Sequence, residues 1–163
     1  TPDHTARQMA ALAMRYFDND SRIVDACCGT GQLTRALLLE GVHPSAILGF
    51  DADAELVDLY ERLYPDAAAL RMQFREIDFH CENVIANPPF EVPECTVFLQ
   101  WLSRIQCSGD RAVLLLPSGF IDKQRPRSVQ ETMRHFIVHH RIPMQEPFAR
   151  TNCRAEIVML ERV

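Results

Sequence analysis

The sequence predicts an α/β protein: a doubly wound, mostly parallel sheet closed by an antiparallel hairpin. Three observations carry this reading. Helical and strand-like segments alternate from end to end, with no internal repeat or low-complexity tract. Arg111-Ala112-Val113-Leu114-Leu115-Leu116 is a nearly continuous apolar run, as a strand buried on both faces requires. The last two strand-like segments, near 139–146 and 155–161, are joined by about eight residues, which suits an antiparallel return and not a crossover.

The elements follow in order. Ala6, Met9, Ala10, Ala13 and Phe17 recur at helical spacing over 3–17, with Asp3 as the expected cap. Arg22-Ile23-Val24-Asp25 reads as a short strand running into a glycine turn. Leu33, Ala36, Leu37 and Glu40 predict a helix stopped by Gly41. Ala46–Phe50 is a second strand, and Asp53 caps a helix expected to bury Leu56, Leu59, Tyr60 and Leu63. Strands are expected near 71–77 and 82–86. A helix from Pro93 then carries Val97, Trp101, Leu102 and Ile105, with Trp101 read as core. After the strand at 111–116 comes a polar, basic loop over 118–127, then a short helix with Val129, Met133, Phe136 and Ile137.

Composition narrows the function. The 163 residues match one domain, 1–163, that needs no disulfide or metal staple to fold. A membrane span needs about 18 consecutive apolar residues, and none is found. Thr1-Pro2-Asp3-His4 has neither the basic start nor the apolar stretch of a signal peptide. The 6 Cys form no C-x-x-C pair and the His show no ligand spacing, so no metal is expected and a reduced, cytoplasmic setting is. The net charge of −5 divides unevenly: residues 1–100 hold 7 basic and 16 acidic side chains, residues 101–163 hold 10 and 6. A free-standing duplex clamp is usually basic overall. The acidic total argues against one, while the basic last third offers a local face for an anionic ligand. Lys123-Gln124-Arg125-Pro126-Arg127 reads either as phosphate contacts or as a plain surface loop. Cys27 and Cys28 read as small packing residues.

Asp25-Ala26-Cys27-Cys28-Gly29-Thr30-Gly31 lies between a strand and a helix, where glycines let backbone approach a ligand at the carboxyl edge of a sheet. About 20 residues on, Asp51, followed by Ala52, ends the second strand, where an acid accepts both hydroxyls of a ribose. A dinucleotide fingerprint wants a third glycine, and Thr34 stands there instead. S-adenosyl-L-methionine (SAM) has no phosphate, so a loose glycine turn and a ribose acid suffice for it. The alternative is a tight turn with a helix-entry acid and no ligand.

Asn87-Pro88-Pro89-Phe90 follows the strand at 82–86. Asn-Pro alone is a common turn. Methylation of a planar exocyclic amine gives these residue types a chemical use. An Asn side-chain oxygen and a neighbouring carbonyl accept both N–H bonds and draw the nitrogen toward sp³ geometry. The prolines stiffen the loop. An adjacent aromatic stacks on a base, a contact worth about 1–3 kcal/mol.

On these residues the chain resembles the class I SAM-dependent amino-methyltransferases, most of all N6-adenine DNA methyltransferases. The resemblance implies a Rossmann-like fold with a mostly parallel seven-stranded sheet. It implies Asn87, Pro88, Pro89 and Phe90 as the catalytic motif. Thr1 and Pro2 resemble the family's Thr-Pro, which touches the methionine carboxylate. Asp25, Ala26, Gly29 and Gly31 resemble its glycine turn, with Ala26 replacing the usual Pro or aromatic. Asp51 matches the ribose acid, and Asp78-Phe79 stands for an Asp that contacts the adenine amine beside a hydrophobic ring. Leu116-Pro117-Ser118-Gly119 and Thr151–Ile157 are similar to the late strands. Such enzymes normally carry a target-recognition domain, which this stretch does not contain. DNA is the expected substrate, with a separate recognition subunit or domain as partner and no membrane. N2 of guanine in RNA, a protein glutamine amide, and a partner-dependent non-catalytic subunit are the alternatives.

Overall fold

A computed structural model describes residues 1–18, 20–122, 127–144 and 154–163. Its centre is a seven-stranded sheet in the order β3-β2-β1-β4-β5-β7-β6. β1 (Ile23–Ala26), β2 (Ile47–Asp51), β3 (Ala68–Arg71), β4 (Asn83–Ala86) and β5 (Arg111–Pro117) run parallel. β7 (Ala155–Arg162) runs antiparallel to both β5 and β6 (Phe136–Pro143), giving the expected terminal hairpin.

Alternate side chains of the central strands feed two cores, as the period of two demands. Ile85, Val113, Leu115 and Ile157 face α1 (Asp3–Tyr16) and α2 (Gln32–Leu39). Val84, Ala86, Leu114 and Val158 face α4 (Val92–Ile105) and α5 (Arg127–Met133). Trp101 is core, with its indole N–H donated to the Ile77 carbonyl at 3.1 Å. α3 (Ala54–Leu63) packs on β2 and β3. Among the described residues, no helix is long and apolar enough to cross a membrane.

Several local expectations are corrected. Pro2 is the N-cap of α1 and Asp3 is its first residue, paired with Arg7 one turn on. Asp53 does cap α3, accepting from the Glu55 and Leu56 N–H groups. That helix buries Val57 and Tyr60, whereas Leu63 is 53% exposed, because it packs on an edge strand that covers only part of its face. The strand expected at 71–77 lies earlier, at 68–71. Residues 74–76 form a short 3-10 turn, which buries Phe74 and is closed by the Glu76 carboxylate accepting the Gln73 N–H at 2.8 Å. Phe136 and Ile137 belong to β6, since β7 offers them a pairing edge that no helix supplies.

Candidate active site

The strand order reverses between β1 and β4, and ligands of open α/β sheets bind at the carboxyl ends flanking such a point. The glycine turn leaves β1 there. Cys27, Gly29 and Gly31 all have positive φ, at 61°, 54° and 78°. A Cβ on Gly31 would lie 2.3 Å from the Tyr64 ring, so only glycine fits. A Cβ on Gly29 would meet nothing within 4 Å, which leaves the space above the turn open.

Two carboxylates organise the turn. Asp51 accepts the Gly29 N–H at 2.9 Å through Oδ2 and the Asp53 N–H at 3.0 Å through Oδ1. Each oxygen keeps a second lone pair for a ligand hydroxyl. Asp25 is fully buried below, where its Oδ2 accepts the Thr34 N–H and hydroxyl. Thr34, the residue that breaks the dinucleotide pattern, is thus the partner of the first acid, and its hydroxyl also meets the Tyr60 hydroxyl at 2.8 Å. Asp25 Oδ1 has no hydrogen-bond partner among the described residues. Burial pushes the Asp25 carboxyl up to about 7, against the pull of the Thr34 bonds and with a small push from the Asp51 charge. Burial, helped by Asp51 and Asp25, also raises the Cys27 thiol to about 12, so it stays protonated.

Beside the turn lies a cleft of about 230 Å³. Asp51 and Ala52 line it from β2, Cys27 from the turn, and Pro89 from the Asn-Pro-Pro-Phe segment. Met72, Gln73, Phe74 and Arg75 complete it after β3, with Arg75 held at the rim by Glu94 at 2.5 Å. Asp78 and Phe79 do not line it. The 3-10 turn buries Phe74 and Ile77 and carries the chain past the cleft. Asp78 is left exposed, and Phe79 sits 6.3 Å from Phe50 by ring centroids, over a separate hollow with Asp20, Arg22 and His80. The strand expected over 71–77 hides Gln73, whose place just after β3 brings it to the cleft.

The Asn-Pro-Pro-Phe segment leaves β4 next to β1. Asn87, half-buried, donates from Nδ2 to the Thr1 hydroxyl at 2.9 Å, joining two singled-out residues 86 positions apart. Pro88 is buried and Pro89 exposed; the Pro89 carbonyl accepts the thiol of buried Cys95 at 2.9 Å. Phe90 is half-buried against the layer of α1 and α2. Pro2 caps α1, while Ala26 is buried at the end of β1. After β5, Gly119 donates its N–H to Glu156, whose carboxylate also takes a two-pronged pair of bonds from Arg141 at 2.9 Å each. Residues 123–126 of the basic run, and Thr151 to Cys153, lie outside the described residues.

No protein-family model matches this sequence, and no curated protein matches it. Solved structures share the fold. Magnesium protoporphyrin IX methyltransferase (ChlM) from Synechocystis PCC 6803, solved with bound SAM, superposes at TM-score 0.77 and 13% identity, over 99% of this chain and 79% of that one. A chain of a type I R-M system, described for its complex assembly and conformational transition, gives TM-score 0.77 at 19% identity, over 99% of this chain but only 42% of its own. The 23S rRNA methyltransferase ErmE gives 0.76 at 15%, over 100% and 69%. At these identities the likeness is one of fold, and the fold is the Rossmann-like fold of SAM-dependent methyltransferases.

Proposed function

We propose that this chain is the catalytic domain of a SAM-dependent N-methyltransferase acting on a planar amine, adenine N6 of DNA first among them. The observation that carries the reading is the Asn87–Thr1 hydrogen bond. It supports a joint site for cofactor and amine: Thr1 belongs to the segment resembling the carboxylate-binding Thr-Pro, and Asn87 to the segment resembling the amine-binding motif. Donation through Nδ2 orients the Asn87 amide, so its Oδ1 is the acceptor presented to a substrate.

The residues around the cleft fit the cofactor. Asp51 can take the ribose hydroxyls while still holding the Gly29 turn. Gln73 and Phe74 line the cleft side by side, an amide and a ring that suit an adenine amine and its face. Asp25 supports the turn through Thr34, and its unpartnered Oδ1 suits a cationic amine. When bound, the sulfonium cofactor supplies an electrophilic methyl. The chain does the rest by position: Asn87 Oδ1 and the Pro88 carbonyl accept the two amine N–H bonds and aim the lone pair, and Phe90 stacks on the base. No strong base is required, and the rate gain is one of alignment. In duplex DNA the base is flipped from its stack to reach the site.

A partner is part of this reading. The type I R-M chain that shares the fold is more than twice as long as the matched region, and it works within an assembly. Sequence recognition is accordingly assigned to a separate subunit or domain. RNA is the second reading, favoured by the fold shared with ErmE.

The test is labelled SAM offered with unmethylated DNA, RNA and protein, with products read by mass spectrometry. N6-methyladenine in DNA is the expected product. Asn87→Ala should cost transfer about 10²–10³-fold, as loss of an aimed polar contact does elsewhere, with cofactor affinity near normal by calorimetry. Methylguanine in RNA would move the substrate, and undiminished transfer by Asn87→Ala would sink the mechanism.

A further inference from the structure

At the opposite edge of the sheet, where β4 and β5 begin, three side chains of different chemistry converge. His80 lies in the turn before β4, and Cys107 and Asp110 lie in the turn before β5. Their ligand atoms are all within 4.8 Å of one another. No sequence spacing announces them, because the topology brings together two turns 27 residues apart. We propose that His80, Cys107 and Asp110 form a zinc-class metal site that ties these two turns together, with its fourth position taken by water.

The donor set is specific in kind. One thiolate, one imidazole and one carboxylate suit a borderline-soft dication, and thiolate and carboxylate together neutralise its charge. Mg²⁺ and Ca²⁺ prefer oxygen ligands alone. A tetrahedral zinc ion places N, O and S ligands about 3.3–3.7 Å apart. His80 Nε2 and Asp110 Oδ2 are 2.5 Å apart in the hydrogen-bonded form, and the widest separation in the cluster stays within 4.8 Å. The shift to zinc spacing is about 1 Å. The exposed His80 and Cys107 side chains can make it by rotation.

The frame beneath is fixed. The Gly109 N–H donates to the Arg162 carbonyl, and the Arg162 N–H returns to the Asp110 carbonyl, both at 2.8 Å, so the 107–110 turn is clamped to β7. Buried Gln106 donates to the Cys81 and Glu82 carbonyls on one side and to the Arg111 carbonyl on the other, locking the two turns in register. Asp110 Oδ2 also accepts the Cys107 N–H at 2.6 Å, which fixes the carboxylate against the backbone of the residue that carries the thiol. On binding, the Cys107 thiol gives its proton to solvent and sulfur bonds the metal. The proton between His80 Nε2 and Asp110 leaves to solvent, the neutral ring carries its N–H at Nδ1, and Nε2 bonds the metal, with no change of redox state. This site is independent of the proposed methyl transfer.

The experiment uses the whole chain, freed of metal by a chelator and titrated with Zn²⁺ against a competing dye and with Co²⁺ by absorption. One equivalent should bind, and cobalt should show a thiolate charge-transfer band with the intense visible bands of tetrahedral geometry. Cys107→Ser should abolish the charge-transfer band. His80→Ala should weaken zinc binding by at least the roughly 10–100-fold that loss of an outer-shell partner costs. Both positions are exposed, and unchanged circular dichroism would show both variants folded. Absence of binding to the wild type overturns the proposal. So does a charge-transfer band that survives in Cys107→Ser, since another thiol would then be the ligand.

Discussion

Thr34 gives both its backbone N–H and its hydroxyl to one carboxylate oxygen of Asp25, at 3.1 and 2.7 Å. The pair fixes the start of α2 beneath the glycine turn, yet it leaves a carboxyl group buried with its second oxygen unpartnered among the described residues.

The pH dependence follows from that burial. The folded protein holds the Asp25 proton up to about pH 7, whereas an unfolded chain releases it in the ordinary carboxylate range. The stabilising contribution is therefore complete below the ordinary carboxylate range and is lost as pH rises through about 7. Asp25→Asn keeps an acceptor for Thr34 and removes the charge. Thermal melts without cofactor should show a flatter slope between pH 4 and 7, and at pH 8 a variant more stable by on the order of a few kcal/mol. The same variant should bind SAM more weakly. An unchanged slope would show that Asp25 is not the group responsible.

Gly31→Ala and Gly29→Ala form a matched pair. Both impose a left-handed conformation on a residue with Cβ, at about 1–2 kcal/mol. Gly31→Ala also drives a methyl into the Tyr64 ring, so urea denaturation should find it the less stable of the two. Gly29→Ala should spare stability more and weaken cofactor binding, because its methyl enters open space above the turn. Equal stability losses would contradict this packing.

The thiol of Cys95 holds the second proline of the Asn-Pro-Pro-Phe segment, proposed above as catalytic, by its carbonyl. Cys95→Ser retains a donor there, and Cys95→Ala removes it. A hydrogen bond worth about 0.5–1.5 kcal/mol corresponds to a roughly 2–13-fold fall in kcat for Cys95→Ala, with KM for SAM little changed and Cys95→Ser close to wild type. Steady-state kinetics on the three proteins decide it.

Arg141 and Glu156 anchor the segment after β5. The Glu156 side chain is 6% exposed and that of Arg141 40%, so the pair is solvated on one side only. Arg141→Met should cost about 2 kcal/mol, below the value for a fully buried pair because solvent reaches the guanidinium. Adding Glu156→Gln should recover part of the loss, a coupling that a double-mutant cycle in urea measures.

Much of the fold is legible in the sequence, because strand burial and helix periodicity are local signals. The apolar 111–116 run, the Asp53 cap and the short return between the last strands each point to what the structure contains. Boundaries are less legible. Phe136 and Ile137 continue a helical spacing from Val129, and only the presence of β7 decides that they pair as a strand. The cleft shows the same division. Asp51 and Pro89 sit in recognisable segments, but Gln73 carries no pattern of its own, and Asp78-Phe79, which the family resemblance points to, does not line the cleft. The Asn87–Thr1 contact spans 86 positions and exists only because α1 leads into the strand beside β4.

The placement of β7 between β5 and β6 sets an order on biosynthesis. The ribosome delivers β6 before β7, yet β7 is what bonds β6 to the sheet. Until β7 emerges, the apolar β5 stands as an open edge and β6 has no sheet to join. Between the emergence of β5 and that of β7 the nascent protein therefore carries adhesive backbone uncovered, the interval in which a chaperone or an assembly partner has most to protect.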